Sequence, residues 1–170
     1  MNDAQRSPFT ELRIRSFEGQ IMYFNGMYKL PVAPYPSLSH LNQSAEDRLL
    51  AFKATLLKEV EEVDEIISKM RSIAHSDVEI LTDIADWLGD ITIYCASEAA
   101  KFGLPMKEIL RIIMQSNFSK LQADGTVKYD ANGKVEKGPG YWKPEPLLRD
   151  LLEDAIREHQ NGGKNGQTGD

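Results

Sequence analysis

The sequence is short of cysteine, of paired histidines, of basic excess and of long apolar runs, and each shortage removes a class of function. One cysteine, Cys95, in 170 residues excludes a disulfide framework or a cysteine-built zinc site within one chain. Cys95 falls inside an apolar helical pattern and is expected to be a buried, inert thiol. The three histidines, His40, His75 and His159, lie far apart, so none pairs with another at the spacing of a zinc ligand set. The formal net charge is -6, which argues against a binder of nucleic-acid polymers or of membrane surfaces. A small anionic ligand stays open, because a metal or a local lysine cluster reverses the sign of the field. No stretch approaches the roughly 18 apolar residues of a transmembrane helix. The start, "MNDAQRSPFTELR", has no apolar run, so no signal peptide is expected and the cytoplasm is the expected compartment.

What is present reads as an all-α protein. Phe9, Leu12, Phe17, Ile21, Phe24 and Tyr28 recur at helical spacing over 9–28. The stretch "KLPVAPYPSLS" then holds three prolines within six residues, an extended connector, since proline removes a donor and keeps its predecessor out of the helix. Ser44 is placed to cap a long helix over about 45–73, with Asp47 three residues on. In that helix Leu56, Val60, Val63, Ile67 and Met70 form an apolar stripe. "AHSD" breaks it, and Ser76 caps a second helix over about 77–102, whose stripe is Leu81, Ile84, Leu88, Ile91, Cys95 and Phe102. Gly103 ends that helix, and Pro105 opens a third. Beyond Lys120, Asp-Gly and Asn-Gly pairs mark turns in a hairpin or ordered loop. A last helix is expected over 146–159. The expected architecture is one domain, 9–158: a bundle around a long antiparallel helix hairpin with a C-terminal hairpin or loop appendage. Residues 1–8 and 160–170 are expected to be flexible.

The stretch "LLKEVEEVDEIISKM" carries Glu59, Glu61, Glu62, Asp64 and Glu65. At about 100° per residue, Glu61 and Glu65 point away from the apolar stripe and need only water. Glu62 and Asp64 sit on its two borders. Glu59 falls inside the apolar arc, where a carboxylate is costly unless something compensates. On the next helix Glu79, Asp83, Asp86 and Asp90 share one side, which by itself reads equally as a solvated face. With the two helices antiparallel about a turn near residue 75, Glu59 and Glu62 come level with Asp90, one turn from Asp86. Glu79 and Asp83 lie nearer the turn. Four acids, Glu59, Glu62, Asp86 and Asp90, can therefore converge. Such oxygen ligands suit Mg²⁺ or Mn²⁺.

"EVEE" followed by "DWLGDITIY" resembles the paired acidic motifs of the all-α nucleoside triphosphate pyrophosphohydrolases, the superfamily of MazG-like proteins and phosphoribosyl-ATP pyrophosphohydrolases. The later "NFSKLQADGTVKYDANGKVEKGPGYWKPEP" resembles the Asn-x-Ser-Lys element and Gly- and Lys-rich loop of a MazG-like bacterial branch. The likeness spans roughly residues 17–146. It implies hydrolysis of a nucleoside triphosphate to monophosphate and pyrophosphate with bound Mg²⁺. It puts metal ligands at Glu59, Glu62 and Asp90, with Asp86 as a further ligand or the residue that positions the water. Glu62 and Asp86 are the catalytic candidates.

Two positions depart from the family pattern: Lys58 stands where the first motif has its first Glu, and Trp87 where the second motif has an acid. Both favour an alternative, a non-catalytic nucleotide-binding or dimerisation module with an eroded site. For substrate binding, Asn117, Lys120 and Lys137 fall on the family-like elements, among five lysines between 120 and 143. Tyr141 and Trp142 could each stack on a base or pin the loop to the bundle, and pinning is the expectation for Trp142. A homodimer is expected by analogy, and Ile80, Trp87 and Ile93 supply a physical motive as a second apolar side of their helix.

Overall fold

The computed structural model describes residues 16–164, and it is all-helical. The helices are α1 (Phe17–Met27), α2 (Ala45–Met70), α3 (Asp77–Lys101), α4 (Met106–Phe118) and α5 (Glu145–Lys164). Phe9 and Leu12, assigned to the first helix from their spacing, lie outside the described residues, as do 1–8. α5 runs on past His159, the expected end of the last helix, to Lys164. Its two glycines each cost about 1 kcal/mol against alanine, which weakens a helix without forbidding it. Residues 165–170 lie outside the described residues.

Serine begins three of the helices. Ser16, Ser44 and Ser76 accept hydrogen bonds from the backbone N–H groups of Gly19, Asp47 and Glu79. Each satisfies a donor that the first helical turn leaves unpaired. At Ser76 the Glu79 carboxylate closes a full capping box. Gly103 follows α3 at φ +65°, and a β-carbon there would collide with the carbonyl of Tyr35. Glycine is required on both counts.

The described chain forms two compact units, the first ending at Gly103 and the second beginning at Leu104. In the first, α2 and α3 form an antiparallel pair. Their contacts step outward from the turn in order: Lys69 with Asp83, the Glu59 carbonyl with Trp87, and Arg48 with Glu98. At the far end of α3, α1 and the proline-rich connector close a small core of Ile21, Ala33, Ala99 and Phe102. The connector is held by backbone bonds from Ala33 and Ser37 to the carbonyls of Ala100 and Phe102. Asn25 is fully buried there and bonds to both the carbonyl and the hydroxyl of Ser97. Buried Glu98 takes hydrogen bonds from Arg48 and Lys101 at 2.7 and 2.9 Å, so its charge is matched on both oxygens.

In the second unit, α4 and α5 flank an ordered loop over 119–144. A single antiparallel bridge, Tyr129 to Val135, is its one β feature among the described residues. Asp124 and Asp130 cap the two turns with their carboxylates, and Gly125 and Gly133 take the positive φ values that the turns need.

Two helix faces differ from expectation. On α2, Glu59 and Ile66 are buried, whereas Val60 and Ile67, expected to point inward, are 54% and 36% exposed. On α3, Ile80, Ile84, Trp87 and Ile91 are half-buried, whereas Leu81 and Leu88 are 61% and 50% exposed. Cys95 is exposed, not buried. Both helices have rolled about their axes by roughly 60° from the roll that would bury their apolar stripes. The roll brings the Trp87 indole against α2 and leaves the aliphatic stripes to one side.

The Asn25 cluster carries the first prediction. Asn25→Ala leaves the buried Ser97 hydroxyl without its acceptor and takes from the Ser97 carbonyl the donor it has beyond its own helix, and unmade buried bonds cost about 1–3 kcal/mol each. Urea denaturation followed by circular dichroism should show a loss of about 2–4 kcal/mol. A loss under about 0.5 kcal/mol, typical of a surface substitution, would mean that the cluster does not hold α1 to α3.

Candidate metal centre

Asp83, Asp86 and Asp90 of α3 face Glu62 and Glu65 of α2 across an open cleft of about 170 Å³. Ile66, Lys69 and Trp87 complete its lining. The same roll of α2 that exposes Val60 turns Glu62 and Glu65 toward this cleft and carries Asp64 away from it. Glu65, expected to see only water, therefore lines the cleft. Asp83, expected to lie too near the turn, lines it as well and pairs with Lys69 at 2.6 Å. Lys69 is the counter-charge at the turn end of the cleft, and Asp83 with its neighbours holds its ammonium above the usual lysine range.

Glu59 is 8% exposed, as its place inside the apolar arc of the sequence predicts. Burial, first, and then the negative charges of Glu62 and Asp90 push its carboxyl above the ordinary glutamate range. Tyr94 opposes this weakly by donating a hydrogen bond to it. In turn the Glu59 charge, then burial, raises the phenol of Tyr94. Three of the four acids singled out from the sequence, Glu59, Glu62 and Asp90, thus feel one another across the helix pair. Asp86 lines the cleft beside Glu62 and Asp90, whereas the buried Glu59 is not part of its lining. Tyr94 was missed, although it continues the row of Asp83, Asp86 and Asp90 by one more helical turn.

The Trp87 indole donates a hydrogen bond to the Glu59 carbonyl at 2.6 Å. It therefore fixes the backbone from which the Glu59 side chain projects. Lys58, one residue earlier, is exposed.

In kind, this donor set fits a hard divalent cation: oxygen ligands only, mutually repelling, one of them buried. The side chains do not stand gathered around one point, for no three His, Cys, Asp or Glu side chains among the described residues form a ready-made metal-binding group. Binding would draw in Glu62 and Asp90, both exposed and able to move.

The other candidate residues sit in the second unit. Lys120 donates to the Asn117 side chain at 2.7 Å. The Gly138 N–H bonds to the Lys120 carbonyl, and the Tyr141 N–H to the Gly138 carbonyl. Lys137 lies 4.5 Å from the centre of the Tyr141 ring, a cation–π contact. Asn117, Lys120, Lys137 and Tyr141 are thereby gathered at one end of the loop. Trp142 is pinned on both sides of its peptide, by the hydroxyls of Ser116 and Ser119. Gly138 is buried, and a β-carbon on it would strike the Leu121 carbonyl. The loop end is therefore a built turn and not a slack one.

The fold and the cleft define a class: an all-α protein with an acid-lined groove between two antiparallel helices. Comparison with known proteins takes the assignment no further, since no family model matches the chain and no curated protein matches it.

A pH dependence follows from Glu59. Its folded carboxyl titrates above the free value of 4.5, so its ionised form is disfavoured in the fold. Metal-free protein should therefore gain stability as pH falls from neutral through that raised value, and lose it again on the way up. Glu59→Gln should raise the urea midpoint at pH 7 and flatten the pH profile just above 4.5. Millimolar Mg²⁺ should raise the midpoint of the wild type and leave the variant unmoved. Equal midpoints for the two proteins across this range would remove Glu59 from any strained acidic cluster.

Proposed function

We propose that the protein is a metal-dependent nucleoside triphosphate pyrophosphohydrolase whose reacting groups lie in the cleft between α2 and α3. The observation that carries this reading is the buried Glu59 carboxyl, raised by burial and by Glu62 and Asp90. Carboxylates whose titration is perturbed by burial and by one another, beside a cleft, are characteristic of functional sites. Glu59, Glu62 and Asp90 would hold a Mg²⁺ or Mn²⁺, with Asp86 beside them. When bound, the cation would offset polyphosphate charge and lower the pKa of a water. Asp86 and Glu62 would orient the attacking water and accept its proton. The water oxygen bonds to the α-phosphorus as the bridging bond to the leaving pyrophosphate breaks. Taken by itself, the loop end of the second unit offers Lys120, held by Asn117, and Lys137 as donors for phosphate oxygens, and Tyr141 as a ring face for a base. The substrate is thus a nucleoside triphosphate, ribo- or deoxyribo-, and the place of work the cytoplasm. Among the described residues no helix is long and apolar enough to cross a membrane.

A second reading is a nucleotide-binding module without turnover. Trp87 favours it: where the resembled motif has an acid, this chain has an indole that braces α2 instead.

One assay separates the two. The protein is incubated with ribo- and deoxyribonucleoside triphosphates, with Mg²⁺, with Mn²⁺ or with chelator, and pyrophosphate is measured. Metal-dependent release is expected, reduced by about two orders of magnitude or more in Glu62→Gln. Nucleotide binding without release would favour the second reading, and neither binding nor release would overturn both.

A further inference from the structure

The outer edge of α2 reads the same in both directions. Glu46, Leu50, Lys53, Leu57, Val60, Asp64, Ile67 and Arg71 follow one another at alternating spacings of four and three, the seam of a coiled coil. All eight are exposed, the four apolar ones at 57%, 53%, 54% and 36%. Its polarity is palindromic, with an aliphatic pair at the centre, opposite charges outside it, aliphatics again, and opposite charges at the ends. None of the four charged residues makes an ion pair with another described residue.

We propose that this edge is the contact surface for a second copy of the chain, paired antiparallel across a two-fold axis that crosses α2 between Lys58 and Glu59. In that register every layer is complementary. Leu57 meets the partner's Val60, and Lys53 meets the partner's Asp64. Leu50 meets the partner's Ile67, and Glu46 meets the partner's Arg71. The two-fold repeats each contact, as an isologous interface must. A parallel pairing would instead stack Lys53 on Lys53 and Asp64 on Asp64. A shift by one heptad would set Glu46 against Asp64 and Lys53 against Leu57 in one direction, or Lys53 against Arg71 and Asp64 against Val60 in the other. The sequence of the edge thus selects both direction and register.

The seam runs the length of α2, 26 residues or about 39 Å. Toward α3 it adjoins further exposed aliphatics, Leu49, Leu81 and Leu88, which widen the apolar strip. The cleft acids lie on the opposite side of the helix pair, so the contact leaves them open. The inference is independent of the metal reading, and it names the partner and the geometry that the expected homodimer lacked.

The test is charge exchange, read by light scattering and sedimentation of the full chain in chelator. The wild type should be a dimer of the 19.2 kDa chain. Lys53→Glu alone sets two carboxylates against each other twice per dimer, and Asp64→Lys alone sets two ammonium groups against each other twice. Each variant should dissociate about tenfold more readily, or worse, with unchanged helix content. Mixed in equal amounts, the two should form a heterodimer of near wild-type affinity, because each introduced charge then faces its opposite. No folding defect in either variant can produce that recovery. A monomeric wild type at tens of micromolar, single variants that dimerise as the wild type does, or a mixture that fails to recover would each overturn the proposal.

Discussion

The hydrogen bond from the Trp87 indole to the Glu59 carbonyl fixes the roll of two helices, and the rest of the first unit follows from that roll. Tryptophan has one donor, and burying it without an acceptor is costly. The acceptor it finds is a helical carbonyl already engaged along its own helix. To reach it α3 must present Trp87 to α2, so Leu81 and Leu88 cannot also face inward. The contact decides by one bond and one large side chain what five aliphatic residues would otherwise decide by area.

The roll gives the helix pair two unlike faces. On one, Glu62 and Glu65 meet Asp83, Asp86 and Asp90 across the cleft. On the other, aliphatic side chains lie in water. Neither face is satisfied by the hairpin itself. Carboxylates that crowd one another call for a cation or a proton, and exposed aliphatic stripes call for apolar cover. A hairpin rolled to bury its stripes would lose the Trp87 bond to α2 and spread its acids into solvent, with no groove between them. The arrangement found here makes sense for a molecule that is completed by something on each side.

How far the sequence disclosed this depended on the kind of signal. Caps and breakers were local and strong: Ser44, Ser76 and Gly103 marked helix ends that the structure places within a few residues, because each meets a need of the adjacent backbone alone. The antiparallel pairing and the height of Glu59 against Asp90 were also legible, since both follow from helix rise and a short turn. The roll was not. Period 3.6 shows that a stripe exists without showing what it packs against, and the largest stripe was taken to face the nearest helix. That assumption misplaced Cys95, Leu81, Val60 and Glu65 together, by one common rotation. Tyr94 was lost for a different reason: a phenol next to an acidic row carries no periodic signal of its own.

The error is itself informative about association. An apolar stripe is selected for burial against something, and sequence alone cannot tell an intramolecular partner from an intermolecular one. When the structure leaves the stripe out of the helix–helix contact, an intermolecular partner is the reading proposed for it above. On α2 the stripe also carries charges, and charges discriminate where aliphatics do not. Lys53 and Asp64 sit at equal distances on either side of one point on the helix, and so do Glu46 and Arg71. A solvated helix surface is under no constraint to place opposite charges symmetrically about a centre with leucine, valine and isoleucine filling the matching positions between them. A two-fold axis through that centre imposes this constraint, since each residue must then suit its mirror position in an identical chain.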